Sequence, residues 1–170
     1  MYALDSTTET IPSGESFRVE IVHDDGMGMP WNEFDGHGVV SDWDRRPKKP
    51  GEVILTGDRR EAIFYDVQAS TAIALRDGWC ASTVDAELLR VGSISKREAA
   101  HRAVLADIVY CRKWATGESY FVGVVVTPLD IHGNEMKHRA ESLWGIESND
   151  REYIREVAFD LINQCAQVTA

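Results

Sequence analysis

Two histidines and three aspartates fall within fifteen positions: His23, Asp24, Asp25, Asp35 and His37. Imidazole and carboxylate are ligands for zinc, manganese or iron, and Asp35-x-His37 sets two of them on one side of an extended segment. A metal held there lowers the pKa of a bound water, which is the chemistry of a hydrolase. His23, Asp35 and His37 are therefore the metal-ligand set to test. The spacing is not that of HExxH, and Asp beside Gly is also ordinary turn composition, so the same residues read equally as Asx turns. Other catalytic signatures are missing. The chain has no GxSxG elbow, no Walker A loop and no CxxC pair. Gly26-Met-Gly28 follows an apolar stretch, but a third glycine and a helix do not come after it, as a dinucleotide fold requires. His101, His132 and His138 are scattered and read as solvated. The expectation is a protein without a cofactor, leaning away from catalysis.

Charge points elsewhere. Residues 1–44 hold ten acids and one base, a net of −9 in a chain whose total is −10. A row of carboxylates along one loop, Asp24, Asp25, Glu33, Asp35, Asp42 and Asp44, can imitate the charge of a nucleic-acid backbone and occupy a basic groove. Glu141, Glu147, Asp150 and Glu152 would extend it. Trp31 and Trp43 are the candidate aromatic anchors of such an interface. The expected partner is a protein with a basic surface; direct binding of nucleic acid is disfavoured by the acidic balance. Directly afterwards the sign reverses at Arg45, Arg46, Lys48, Lys49, Arg59 and Arg60. Self-pairing between the two segments is the plain alternative.

The elements that position these residues are legible in part. Phe17, Val19 and Ile21 alternate with Arg18 and Glu20, the period of a half-buried strand. Glu52–Leu55 reads as a short edge strand. Three helices are expected, each behind an acceptor side chain with a Glu three residues on: from Asp58 to about Asp77, with Tyr65, Ala69, Ala72 and Ile73 buried; from Ser95 to about Thr116; and from Asn149 onward. Ser82 can cap a shorter helix through Arg90. Between the last two main helices, Tyr120–Thr127 has the composition of a central strand stopping near Pro128, and a strand returns over Met136–Glu147. These pieces predict an α+β fold: a small, mostly antiparallel sheet of three or four strands packed against three main helices.

A chain of 170 residues is one domain by size. The expected organisation is a flexible, Ser/Thr-rich leader over residues 1–15 and a single domain over 16–170. The N-terminus lacks the apolar core of a secretory signal, and no apolar run approaches the ~20 residues of a membrane span. Cys80, Cys111 and Cys165 are odd in number and far apart, so reduced thiols in a cytoplasm are expected.

The strand-loop RVEIVHDDGMGMPWNEFDGHGVVSDW, the RDGW at Arg76–Trp79 and the FVGVVV…ESLWGIES hairpin resemble a family of small acidic proteins encoded by tailed phages and prophages. The resemblance implies no catalytic residues. It implies a setting, the host bacterial cytoplasm, where such a protein would act by binding: an accessory protein, with an acidic nucleic-acid mimic that inhibits a defence or nucleic-acid-processing enzyme as its expected form. A structural or assembly role in the virion is the other non-enzymatic expectation.

Overall fold

In a computed structural model that describes residues 3–58 and 60–167, the chain forms two antiparallel sheets and five α-helices, an α+β fold. Met1, Tyr2, Arg59 and residues 168–170 lie outside the described residues. The chain divides into two compact units. The first is built from both ends of the sequence, Met1–Met27 and Ser119–Ala170; the second is the continuous stretch Gly28–Glu118. Each unit has its own core.

The first unit is a four-stranded sheet in the order β1-β2-β6-β7, formed by β1 (Ala3–Thr10), β2 (Ser16–His23), β6 (Phe121–Leu129) and β7 (Glu141–Glu147). α5 (Arg151–Gln167) packs on it. The strand expected at Phe17 is β2. Its register sets Val19 opposite Val126 and Ile21 opposite Val124, so these side chains share a face, and that face meets Ile154, Val157, Leu161 and Ile162 of α5. The flexible leader is not what forms. Residues Ala3–Thr10 are an edge strand, with Thr7 opposite Val19. The run ALDSTTET is exposed along its whole length and so carries no apolar alternation, yet β-branched threonines suit a pleated edge. β6 also runs on through Pro128, which sits opposite Phe17 and past the last β6–β7 pair. The returning strand is shorter than expected because Lys137–Arg139 forms a 3₁₀ turn.

A bulge between Val122 and Val124 fixes the other edge. The Trp144 ring lies where a Gly123 side chain would be, and Gly145 takes a φ of +76°, which favours glycine. Asp24 holds this irregularity together. One carboxylate oxygen accepts the Gly26 N–H at 3.0 Å, the other accepts the Gly145 N–H at 3.0 Å, and the Asp24 N–H donates to the Phe121 carbonyl at 2.9 Å. We expect Asp24→Ala to cost about 1–3 kcal/mol, because two amides at a part-buried site lose their acceptor. A urea midpoint equal to that of the unsubstituted protein would refute this role.

In the second unit, the sheet order is β3-β5-β4, from β3 (Val39–Val40), β4 (Glu52–Gly57) and β5 (Ala62–Asp66). α2 (Val67–Asp77), α3 (Thr83–Arg90) and α4 (Lys96–Ala115) follow, with the short α1 (Pro30–Glu33) ahead of them. Ser82 and Ser95 cap α3 and α4 as their spacing predicts. The helix expected from Asp58 begins later. Asp58 accepts the N–H groups of Arg60 (2.6 Å) and Glu61 (3.2 Å), which is a hairpin turn, and Asp66 is the true cap, accepting from the Ala69 N–H. The intervening AIFYD is β-type sequence, and an aspartate serves turn and cap alike. Tyr65 is therefore buried on a strand, whereas Ala72 is exposed. Leu55, Ile63, Tyr65, Ala100, Val104 and Cys111 belong to this unit's core.

Candidate functional site

Asp107 is the one carboxylate that α4 turns into the second core. It lies three residues after Val104 and four before Cys111, on the same buried face of the helix. Four donors converge on it. His37 Nδ1 lies 2.8 Å from Oδ1, and the Cys111 thiol donates to the same oxygen at 3.5 Å. The Gly38 N–H and the Tyr65 hydroxyl each donate to Oδ2 at 2.7 Å. Ser70 adds a second tie: its Oγ accepts the Val39 N–H at 2.9 Å and donates to the Asp66 carbonyl at 2.6 Å. The His37 ring stacks on Tyr110, with centroids 5.0 Å apart. Gly38 must be glycine, since a Cβ there would run into the Tyr65 hydroxyl and Ser70 Oγ. The loop before β3 is thus pinned to α4, β5 and α2 at once.

The electrostatics follow from this geometry. Burial pushes the Asp107 carboxyl up, but the hydrogen bonds from His37, Tyr65 and Gly38 more than offset it, and the group stays below the ordinary carboxylate value. Burial, with the Asp107 charge alongside, pushes both the Cys111 thiol and the Tyr65 phenol up, so both keep their protons. The Cys111 thiol donates its hydrogen bond to a carboxylate and sits in a buried, apolar setting, which disfavours a thiolate nucleophile. His37, Asp107 and Cys111 can offer one ligand atom each within 4.8 Å. Both Asp107 oxygens, however, already accept two donors apiece. The set fits a hydrogen-bonded junction better than a metal centre.

The sequence-derived residues separate. Of the expected ligand set, His23 stacks on Tyr120 and lies 2.8 Å from Asp25, Asp35 is exposed, and His37 turns to Asp107. Nor is the loop a uniform negative array. Asp24 is buried and spent on the bulge, Glu33 accepts the Gly28 N–H at 3.2 Å, and Asp44 pairs with Arg46 at 2.6 Å. Arg46 also grips Glu52 through two bonds of 2.8 Å and lies 4.2 Å from the centre of the Phe64 ring. Asp25, Asp35 and Asp42 remain exposed. Trp31 packs against the second core; Trp43 is 54% exposed.

The sequence reading missed Asp107, and with it the partnership of Tyr65 and His37. The signal was present, since a carboxylate sat at a core position of a helix otherwise lined by Ala, Val, Ile and Cys. No family model, no curated protein and no solved structure matches this chain. Among the described residues no helix is long and apolar enough to cross a membrane.

Proposed function

We propose that this is a non-catalytic binding protein whose first unit presents negative charge to a basic surface on a partner protein. The observation that carries the reading is where the charge lies. The segments 1–27 and 119–170 hold fourteen acids against five bases, a net of −9, while residues 28–118 are nearly balanced, with fourteen against thirteen. The balanced unit spends its charges internally, in the pairs of Arg46 with Glu52, Arg76 with Asp77, Arg90 with Glu87 and Arg102 with Asp85. In the first unit, Glu152, Glu156 and Asp160 stand on the exposed side of α5 at steps of four, about 6 Å apart along the axis. A rigid row of this kind suits a groove built for a phosphate backbone. The resemblance to small phage proteins fits this reading, with a nucleic-acid-processing or defence enzyme of the host cytoplasm as the kind of partner. Relative to the loop at 24–44, the proposed surface moves to α5.

The test is the triple variant Glu152→Gln, Glu156→Gln, Asp160→Asn, which leaves the buried face of α5 intact. Capture of a basic host protein should fall at least ~tenfold in the variant, weaken as salt rises, and be displaced by duplex DNA added in competition. Capture indifferent to all three would overturn the proposal.

A further inference from the structure

Between the β1–β2 half of the first sheet and α5 runs a groove of about 720 Å³, within the ~300–1,000 Å³ of small-ligand sites. Its floor is apolar, with Val19, Ile21, Val122, Ile154 and Ala158. One wall is β1, which contributes Asp5 and Glu9; the other is α5, which contributes Arg151, Arg155 and Phe159. The two arginines are four apart, on the same side of the helix, and Phe159 continues their line. In a unit with nine surplus negative charges, neither arginine has a side-chain hydrogen bond or ion pair among the described residues. Each of the unit's other three bases has one: Arg18 and Lys137 pair with Glu135, and Arg139 donates to the Cys165 carbonyl. Phe159 is 64% exposed, an aromatic ring at the far end of the groove with little to cover it.

We infer that the groove binds a free, single-chain amphipathic carboxylate. The headgroup lies at the Arg151 end, where the two guanidiniums favour an anion, while the first turn of α5 is already capped by the Asp150 carboxylate. The alkyl chain lies along Val19, Ile21 and Ile154 and ends under Phe159. From Arg151 to Phe159 the helix advances about 12 Å, which suits a medium-length chain. Asp5 and Glu9 on the opposite wall repel the headgroup and so fix which wall it meets. The surplus charge elsewhere on the unit is screened beyond about 8 Å in physiological salt, so the nearby arginines dominate. Glu152, Glu156 and Asp160 do not line the groove, so neutralising them should leave the bound carboxylate in place and, by removing negative charge beside Arg155, should not weaken it.

Isothermal titration with decanoate and dodecanoate, below their micelle concentrations, tests the inference on the full chain. Saturable one-to-one binding is expected. Arg151→Gln and Arg155→Gln should each weaken it by about tenfold, the loss of one charge-assisted contact. Phe159→Ala should weaken dodecanoate more than decanoate, and dodecyltrimethylammonium should bind far more weakly than either. Equal affinity for the cationic amphiphile, indifference to both arginine substitutions, or absence of saturation would each overturn the assignment. So would adhesion to phosphatidylglycerol vesicles without uptake of the free carboxylate, because the surface would then be a membrane contact. All three variants alter exposed side chains, and unchanged circular dichroism confirms that the fold is intact.

Discussion

Asp107→Ala is expected to destabilise the protein by about 3–5 kcal/mol, the cost of breaking a buried charged network by removing one partner. The substitution strands the Tyr65 hydroxyl, the Gly38 amide and His37 Nδ1 around a cavity. Asp107→Asn keeps the volume and should cost less, since its oxygen still accepts some of these donors. The two variants also differ from the parent in their response to acid. The Asp107 carboxyl is held below its ordinary value in the folded protein. Its contribution is therefore complete above the unfolded value of about 4 and is lost as pH falls through the lower folded value. Urea unfolding at a series of pH values reads this directly. The parent should lose stability on acidification below about pH 4 more steeply than either variant. Parallel curves would show that Asp107 does not carry the charge assigned to it.

Phe17→Ala should be comparably damaging in the first unit, at about 3–5 kcal/mol for removing a buried phenyl ring. Phe17 is 1% exposed, sits opposite Pro128 in the sheet register and belongs to the core beneath α5. The sheet has one covering helix, so little is available to relax into the space. Trp43→Ala provides the contrast. Its ring is larger but 54% exposed, and its loss should change stability by no more than about 0.5 kcal/mol. Unfolding midpoints that ranked these two the other way would mean that the core has been assigned to the wrong residues.

The contrast shows what the sequence could and could not convey. Periodicity found β2, α4 and α5, because each has one apolar face; Ser95 caps α4 as its spacing predicts, whereas α5 is capped by Asp150, one residue beyond the expected Asn149, through the Tyr153 N–H. It failed at β1, which has no buried face to leave an imprint, and at Asp58, where turn and cap use the same side chain. The acidic count over residues 1–44 was correct as arithmetic, but it was the wrong grouping. Folding assigns Asp5, Glu9 and Glu20 to the same unit as Glu152 and Asp160, and places Asp44 and Glu52 against Arg46. Charge read along a chain measures neighbours in sequence, and only the topology turns that into a surface. The Asp107 junction was hidden for a related reason. Its members are 70, 42 and 4 residues apart, and only the last separation lies within one element.

The interruption of the first unit by the second has a consequence for synthesis. β2 ends at His23 and its central partner β6 begins at Phe121. At translation speeds of about 5–20 residues per second, a nascent hairpin of β1 and β2 spends roughly 5–20 seconds outside the ribosome before the strand that shields Phe17 and Val19 exists. The intervening stretch, being continuous, has no such wait. Birth order and burial order therefore diverge in this molecule: the residues made first are among the last to be covered.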